Sequence, residues 1–427
     1  MRISLLIVLL LALRALPDSQ PSAPLPVPGP AVRTAAVQGK VYVGDGIHSH
    51  GSVNGTSHVV FQNALDALGS NGGVIEVLPG TYTFGSTVTI SDPGIRIHGA
   101  RQATIRAAGS TPSGPALIVN ALAAGFALDG ITLSEERGNG EHLVAIHALE
   151  ASVTHCAFLV QSATSGVTAH ALHLTSDRAV VEGNSFLFGS AASGRVGLGA
   201  VGSKNLRVTA NEFRAANLSM PSAIQGAIVL EDVTGALIEA NTFLALASPT
   251  AASPSNATLV GRESAGSLAR IAVAGNVFGE VSGASILSLH GDGEFAVSGN
   301  VFGRDAAPLG VVRFSGGAGS SVTGNQFHDD GATGEACVNA AGLTSLLVSA
   351  NTFLDCRVPQ VLLAAVDGAT VLGNRFTQAS GPIAHAVELD IACARVFIGG
   401  NALRGGDWDA VYSPSAAVVE DFHNYNR

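Results

Sequence analysis

The sequence of 427 residues is poor in several things at once. Lysine occurs only as Lys40 and Lys204, and the net charge is −10. Nucleic-acid phosphates are held by basic stripes, so this composition excludes a nucleic-acid partner. Charged residues make up 13% and hydrophobic ones 47%, which excludes a disordered polyelectrolyte. So little charge fits a chain whose packed units leave little exposed surface per residue. The cysteines Cys156, Cys337, Cys356 and Cys393 show no CxxC spacing, which argues against a structural zinc site. Cys337 and Cys356 fall at different phases of the repeat described next, so no disulfide is indicated. All four read as small buried apolar residues.

What the sequence has instead is a repeat. Asparagine recurs at 184, 211, 241, 276, 300, 325, 351, 374 and 401. A phenylalanine follows two residues later in every copy but the last, where Leu403 stands. The mean interval is (401 − 184)/8, about 27 residues. A period of this size marks a solenoid, whose units cannot bury a hydrophobic face alone and therefore stack. One copy runs from Val229 to Phe243: a short apolar strand, a turn near Thr234-Gly235, a second strand, then Asn-x-Phe. Equivalent asparagines in successive coils, about 4.8 Å apart, can bond one another in a ladder. The phenylalanines point the same way and stack. These rows are core, not site. Earlier coils place Gly130-Ile-Thr-Leu and Cys156-Ala-Phe158 at the matching phase. Solenoids grow along one axis, so the length predicts one elongated all-β domain.

Both ends differ. Residues 1–16 join a basic start to an apolar run from Ile3 to Leu13, which reads as a signal peptide and is too short to cross a bilayer. A Pro-rich linker follows over 17–40. These features predict a secreted, extracellular protein with no membrane span once the signal is removed. The sequons at Asn54, Asn217 and Asn256 permit glycosylation in a eukaryotic secretory route. Thr56-Ser57 is a candidate N-cap for an amphipathic helix, 56–69, with Val60, Phe61, Ala64, Leu65 and Leu68 on one face. Open solenoid ends expose apolar core and strand edges, so this helix is the expected N-terminal plug. The repeat breaks near residue 404, and 404–427 is expected to form the last coil and a C-terminal cap.

The helix is followed by Gly72-Gly-Val-Ile-Glu-Val-Leu-Pro-Gly-Thr-Tyr-Thr-Phe84 and Ile95-Arg-Ile-His-Gly99. This pattern resembles the start of the pectin lyase-like superfamily, and more narrowly its pectate-lyase-type N-terminal module. The resemblance in motif detail covers about residues 41–107, and the later repeats are similar only as a generic β-helix. It implies a right-handed parallel β-helix, a polysaccharide partner, and a monomer or, as in fibres of this fold, a homotrimer. The superfamily's polygalacturonase motifs and its calcium lyases' Arg-x-Pro-x-x-Arg are missing, so no catalytic residue is carried over.

Groove chemistry on a β-helix appears as polar residues repeating at one phase. Aligned on the asparagines, four consecutive coils bring Glu231 and Asp232, then Glu263, then His290, Asp292 and Glu294, then Arg313 into one region. The Ala-, Ser- and Pro-rich insertion Leu244–Asn256 lies beside it and is expected to wall a groove. A glycosidase needs two carboxyls, and a uronate lyase needs a base and an electrophile for the substrate carboxylate. Glu231, Asp232, His290 and Asp292 are the candidate catalytic residues, and Glu263 and Arg313 the candidate substrate contacts. Ordinary solvated turn residues account for the same cluster, since turns favour Asp and Gly. His142, His147, His155, His170 and His173, near Glu135, Glu136 and Glu141, read as scattered exposed side chains, with His147 and His173 near one phase. No metal ligands are assigned. Calcium is the one candidate cofactor, with a weak site at His328-Asp-Asp330. Few aromatics, with Trp408, Tyr412 and Tyr82 as the candidate sugar platforms, count against an efficient depolymerase. The reading is a β-helix that binds, and in one version cleaves, polysaccharide. The alternative is a non-enzymatic structural or adhesion protein, a cell-surface or virus-particle fibre.

Overall fold

The computed structural model describes residues 39–427 except 47–50, 101, 109–113, 137–140, 161–168, 190–191, 193–194, 218–221, 249–256, 304–306, 308, 329–335, 355, 357–358, 378–384, 405–408, 413–418, 423–424 and 427. The signal peptide and nearly all of the linker lie outside the described residues. So do the tip of the 244–256 insertion, Asp329, Asp330 and Trp408.

Among the described residues, three long parallel sheets of 16, 14 and 13 strands run the length of the molecule. Each coil gives one strand to each. Gly226–Glu231 lies in the third sheet, Thr234–Glu239 in the first and Thr242–Leu244 in the second. Each strand pairs with its counterpart one coil on, as Ile228 does with Leu259 and Ile238 with Val273. The expected parallel β-helix is therefore the fold.

The sequence repeat is explained residue by residue. The asparagines form one unbroken column. Asn241 donates its side-chain amide to Asn276 Oδ1 at 3.0 Å, and Asn276 donates to Asn300 Oδ1 at 2.9 Å. The same bond repeats from Asn184 to Asn401. Each asparagine also binds a carbonyl of the coil before, as Asn276 Nδ2 does Ile238 O at 2.9 Å. The residue just before each asparagine has a left-handed backbone: Gly183, Ala210, Ala240, Gly275, Gly299, Gly324, Ala350, Gly373 and Gly400. That conformation turns the chain from the first sheet into the second, and it favours glycine. Two residues on from the asparagines, Phe186, Phe213, Phe243, Phe278, Phe302, Phe327, Phe353 and Phe376, joined by Phe158 two residues after Cys156, stack with centroids 4.5 to 5.1 Å apart. All four cysteines are buried.

The N-terminal plug is a helix, α1, over His58–Leu68, with the five expected apolar residues buried. Phe61 meets Tyr82 and Phe84 edge-on at 5.4 and 4.9 Å. Ser57 occupies the N-cap position, but its hydroxyl makes no capping bond. The first strand begins at Gly39, inside the segment read as linker, because Gly39 and Lys40 pair with Gly73 and Val74. At the other end Asp409–Tyr412, Val419–Phe422 and Tyr425–Asn426 each extend one sheet, adding a further coil. No helix among the described residues is long and apolar enough to cross a membrane.

Candidate functional site

Register in the third sheet decides which side chains meet. Val201, Glu231, Arg262 and His290 lie in file on successive coils. A second file, two residues earlier, runs His173, Gly199, Val229, Val260, Ser288 and Arg313. Between these files opens a cleft of about 180 Å³, lined by His170, Gln225, Glu231 and Arg262 among Val196, Val201, Val229, Val260 and Gly199. Polar and apolar groups share its lining about equally.

Glu231 and Arg262 form the charged wall. Arg262 Nη2 and Nε donate to Glu231 Oε2 at 2.8 and 3.2 Å. These bonds to Arg262, with one from Ser264, hold the Glu231 carboxyl below its ordinary range against a smaller upward push from burial. Two donors are used, so three guanidinium N–H groups remain for an anion.

The other predicted residues serve the turns. Asp232 accepts the Ser264 amide at 2.7 Å, the Ser264 hydroxyl at 2.9 Å and the Ala265 amide at 3.1 Å. Partial burial pushes its carboxyl upward, but these bonds together outweigh that and hold it at about 2. Glu263 Oε1 accepts the Leu268 and Asp292 amides, both at 3.0 Å, tying two coils together. Asp292 contributes that amide and does not line the cleft. His290 extends the Glu231–Arg262 file beyond the cleft, and burial, then the charge of Arg313, lowers its pKa. Arg313 sits in the Ser288 file. The Leu244–Asn256 insertion pairs Leu246 and Ala247 with Ser222 and Ala223. Arg262, which the sequence reading passed over, is the one arginine among the described residues of the lining. A glycosidase's general acid must stay protonated near neutral pH. Glu231 and Asp232 are both held ionised, so neither fits that role.

The reading of the histidines as scattered is corrected. His142, His170 and His173 converge, with one ligand nitrogen of each within 4.8 Å of the others. His147 lies one phase away, its Nδ1 on Thr175 Oγ1 at 2.6 Å. His155 faces elsewhere and shares Asp129 with His98, at 3.1 and 2.8 Å. Tyr82, a candidate platform, is fully buried with its hydroxyl donated to Leu78 O at 2.9 Å, so it offers no surface to a sugar. Burial, then the neighbouring imidazoles and the Arg262 charge, push His170 down to about 2. Burial, then His142 and His147, push His173 to about 4, and burial with Arg195 lowers His142. The three imidazoles are therefore neutral at neutral pH.

No protein-family model matches this chain, and no curated protein matches it in sequence. Solved structures do match in fold. The A-module of mannuronan C-5 epimerase AlgE6 from Azotobacter vinelandii superimposes with a TM-score of 0.51 at 13% identity, over 87% of this chain and 95% of that one. The AlgE4 A-module of the same organism gives 0.46 at 11% identity, covering 90% and 100%. PfbA, a surface adhesin of Streptococcus pneumoniae, gives 0.42 at 15%, covering 86% and 87%. The chain thus shares the right-handed parallel β-helix fold of the AlgE6 A-module.

Proposed function

We propose that the protein is an extracellular β-helix that engages an acidic, uronate-bearing polysaccharide at the Glu231–Arg262 cleft. One observation carries the reading: in a chain with 13% charged residues, a cleft presents a guanidinium, oriented by Glu231, beside an imidazole. A planar guanidinium suits a sugar carboxylate, and the partly exposed Val201 and Val229 suit the face of a sugar ring. The similarity to an enzyme named for mannuronan supports the choice of an acidic glycan. Catalysis at this cleft would be proton abstraction beside a neutralised carboxylate, with the Glu231 carboxylate as base, rather than glycoside hydrolysis by paired carboxyls. His290 and Arg313, further along the groove, are the proposed contacts for the next sugar.

The second reading is a non-enzymatic adhesin or fibre. What favours it is that no Phe, Tyr or Trp is among the described residues that line the cleft. Titrating the full chain with oligouronates and neutral oligosaccharides, while following unsaturated products, separates the two. Oligouronates are expected to bind, and Arg262→Ala to weaken them about tenfold to a hundredfold, the worth of one charge-assisted contact. Asp292→Ala, outside the lining, should leave binding within about twofold. Equal binding by wild type and Arg262→Ala removes the cleft from consideration, and no glycan binding at all leaves the fibre reading standing.

A further inference from the structure

His142 and His170 stand on adjacent coils, 28 residues apart, and the His170 backbone amide donates to His142 Nδ1 at 3.1 Å. His173 follows on the same strand as His170, Ala169–Leu174. The His170 and His173 rings stack, 19° from parallel with centroids 4.9 Å apart, and their Nδ1 atoms share a hydrogen bond of 2.8 Å. His142 lies flat against both, at 4.8 and 4.4 Å. The next coil makes room for them. Gly199, in register with His173, would carry a Cβ only 2.4 Å from His170 Nδ1 were it any other residue.

From this geometry we propose that His142, His170 and His173 bind one divalent transition-metal ion of the zinc type. Three imidazoles form a nitrogen donor set that suits Zn²⁺, Co²⁺, Ni²⁺ or Cu²⁺ and not Ca²⁺ or Mg²⁺. Neutral imidazole is the form that binds metal, and burial already keeps these rings neutral. For both Nδ1 atoms to face the ion, the ring that donates in the His170–His173 bond moves its proton to its own Nε2, so both rings stay neutral. Two nitrogens on one tetrahedral zinc sit about 3.3 Å apart, slightly wider than the shared hydrogen bond. The near-parallel rings must also turn about their Cβ–Cγ bonds to converge. His142 and His173 are only partly buried, so they have the room. Arg195, whose Nη1 is on Glu141 O at 2.9 Å, and Arg262 are the cations whose fields reach the cluster and oppose the ion. They set the affinity below that of an enclosed zinc centre. Three protein ligands leave a fourth position open, and His170 lines the cleft. The metal site does not depend on the glycan reading.

The test uses the full chain, stripped with a chelator and titrated near neutral pH with Zn²⁺ by calorimetry and with Co²⁺ by visible absorbance. One ion per chain is expected, with low-micromolar affinity and the intense visible bands of four-coordinate Co²⁺. His142→Gln and His173→Gln, at the partly buried positions, should each weaken binding about tenfold or more with the far-ultraviolet circular dichroism unchanged. His155→Gln, in the separate Asp129 cluster, should bind as the wild type does. Absence of saturable binding, or binding that survives both His142→Gln and His173→Gln, overturns the assignment.

Discussion

Asn276→Ala is expected to destabilise the protein by roughly 4 kcal/mol, more than a typical point substitution. The side chain donates to Ile238 O, Ala274 O and Asn300 Oδ1, at 2.9, 3.1 and 2.9 Å. Its own Oδ1 receives both the backbone and side-chain N–H of Asn241, at 2.9 and 3.0 Å. Truncation strands two donors on Asn241 and weakens the partner of Ile238 O. All of this happens where no water reaches, since Asn241 and Asn276 are 1% and 0% exposed. Each buried group left unpaired costs about 1–3 kcal/mol. The Phe243–Phe278 stack, anchored two residues along on both coils, resists any shift that would repair the loss. Hydrogen exchange should show the amides of the coils on either side of residue 276 opening first, because a solenoid's stability is summed from neighbouring units. A loss below about 1 kcal/mol by guanidinium denaturation would mean that the column is ornament rather than support.

Acid should weaken the fold well above the range where carboxylates titrate. His170 is held at about 2 when folded, against an ordinary value of 6.5. The unfolded chain therefore binds the extra proton first. The stabilisation is complete above about pH 6.5 and is lost as pH falls from there toward the folded value. Each unit costs about 1.4 kcal/mol, or about 3 kcal/mol at pH 4.5 from His170 alone. His173, lowered to about 4 and more exposed, adds a smaller and solvent-screened share in the same direction. Asp129 has a separate window. Burial pushes its carboxyl up, but bonds from Thr154, His155, His98 and Arg96 win and hold it at about 2. Its contribution is present above about 3.8 and fades below. Denaturation midpoints from pH 7 to 4.5 should fall steeply for the wild type and more shallowly for His170→Phe, which keeps a flat ring without a titrating nitrogen. Parallel slopes in the two proteins would show that the imidazole is not the origin.

The architecture was legible because it is written in repeated residues. Asparagine, phenylalanine and the glycine or alanine before them recur wherever the same backbone torsions and the same inward position recur. The cleft was only partly legible. Glu231 could be placed from the ladder, but Arg262 lies after the long insertion, which hides its phase. Counting strand ends instead of asparagines would have put Arg262 on Glu231. The histidines were missed for the same reason. His147 and His173 are 26 residues apart, but the coils are offset by 28, which brings His142 to His170 and His147 to Thr175. Asp232 and Glu263 read as chemistry because they are charged. Their oxygens instead hold backbone amides of the following turns, a role that residue type alone does not distinguish.

The left-handed residue ahead of every ladder asparagine has a consequence for how such a chain can change length. Because each winding turns this corner at closely similar φ, from 54° to 66°, the windings are interchangeable modules with matching joints. Excising residues 277–300 would bring Asn276 directly to Val301 and Phe302, restoring the motif and letting Asn276 meet Asn325. Shortening or lengthening by one full winding is thus geometrically quiet, whereas loss of a single residue within one would throw every later file off its face.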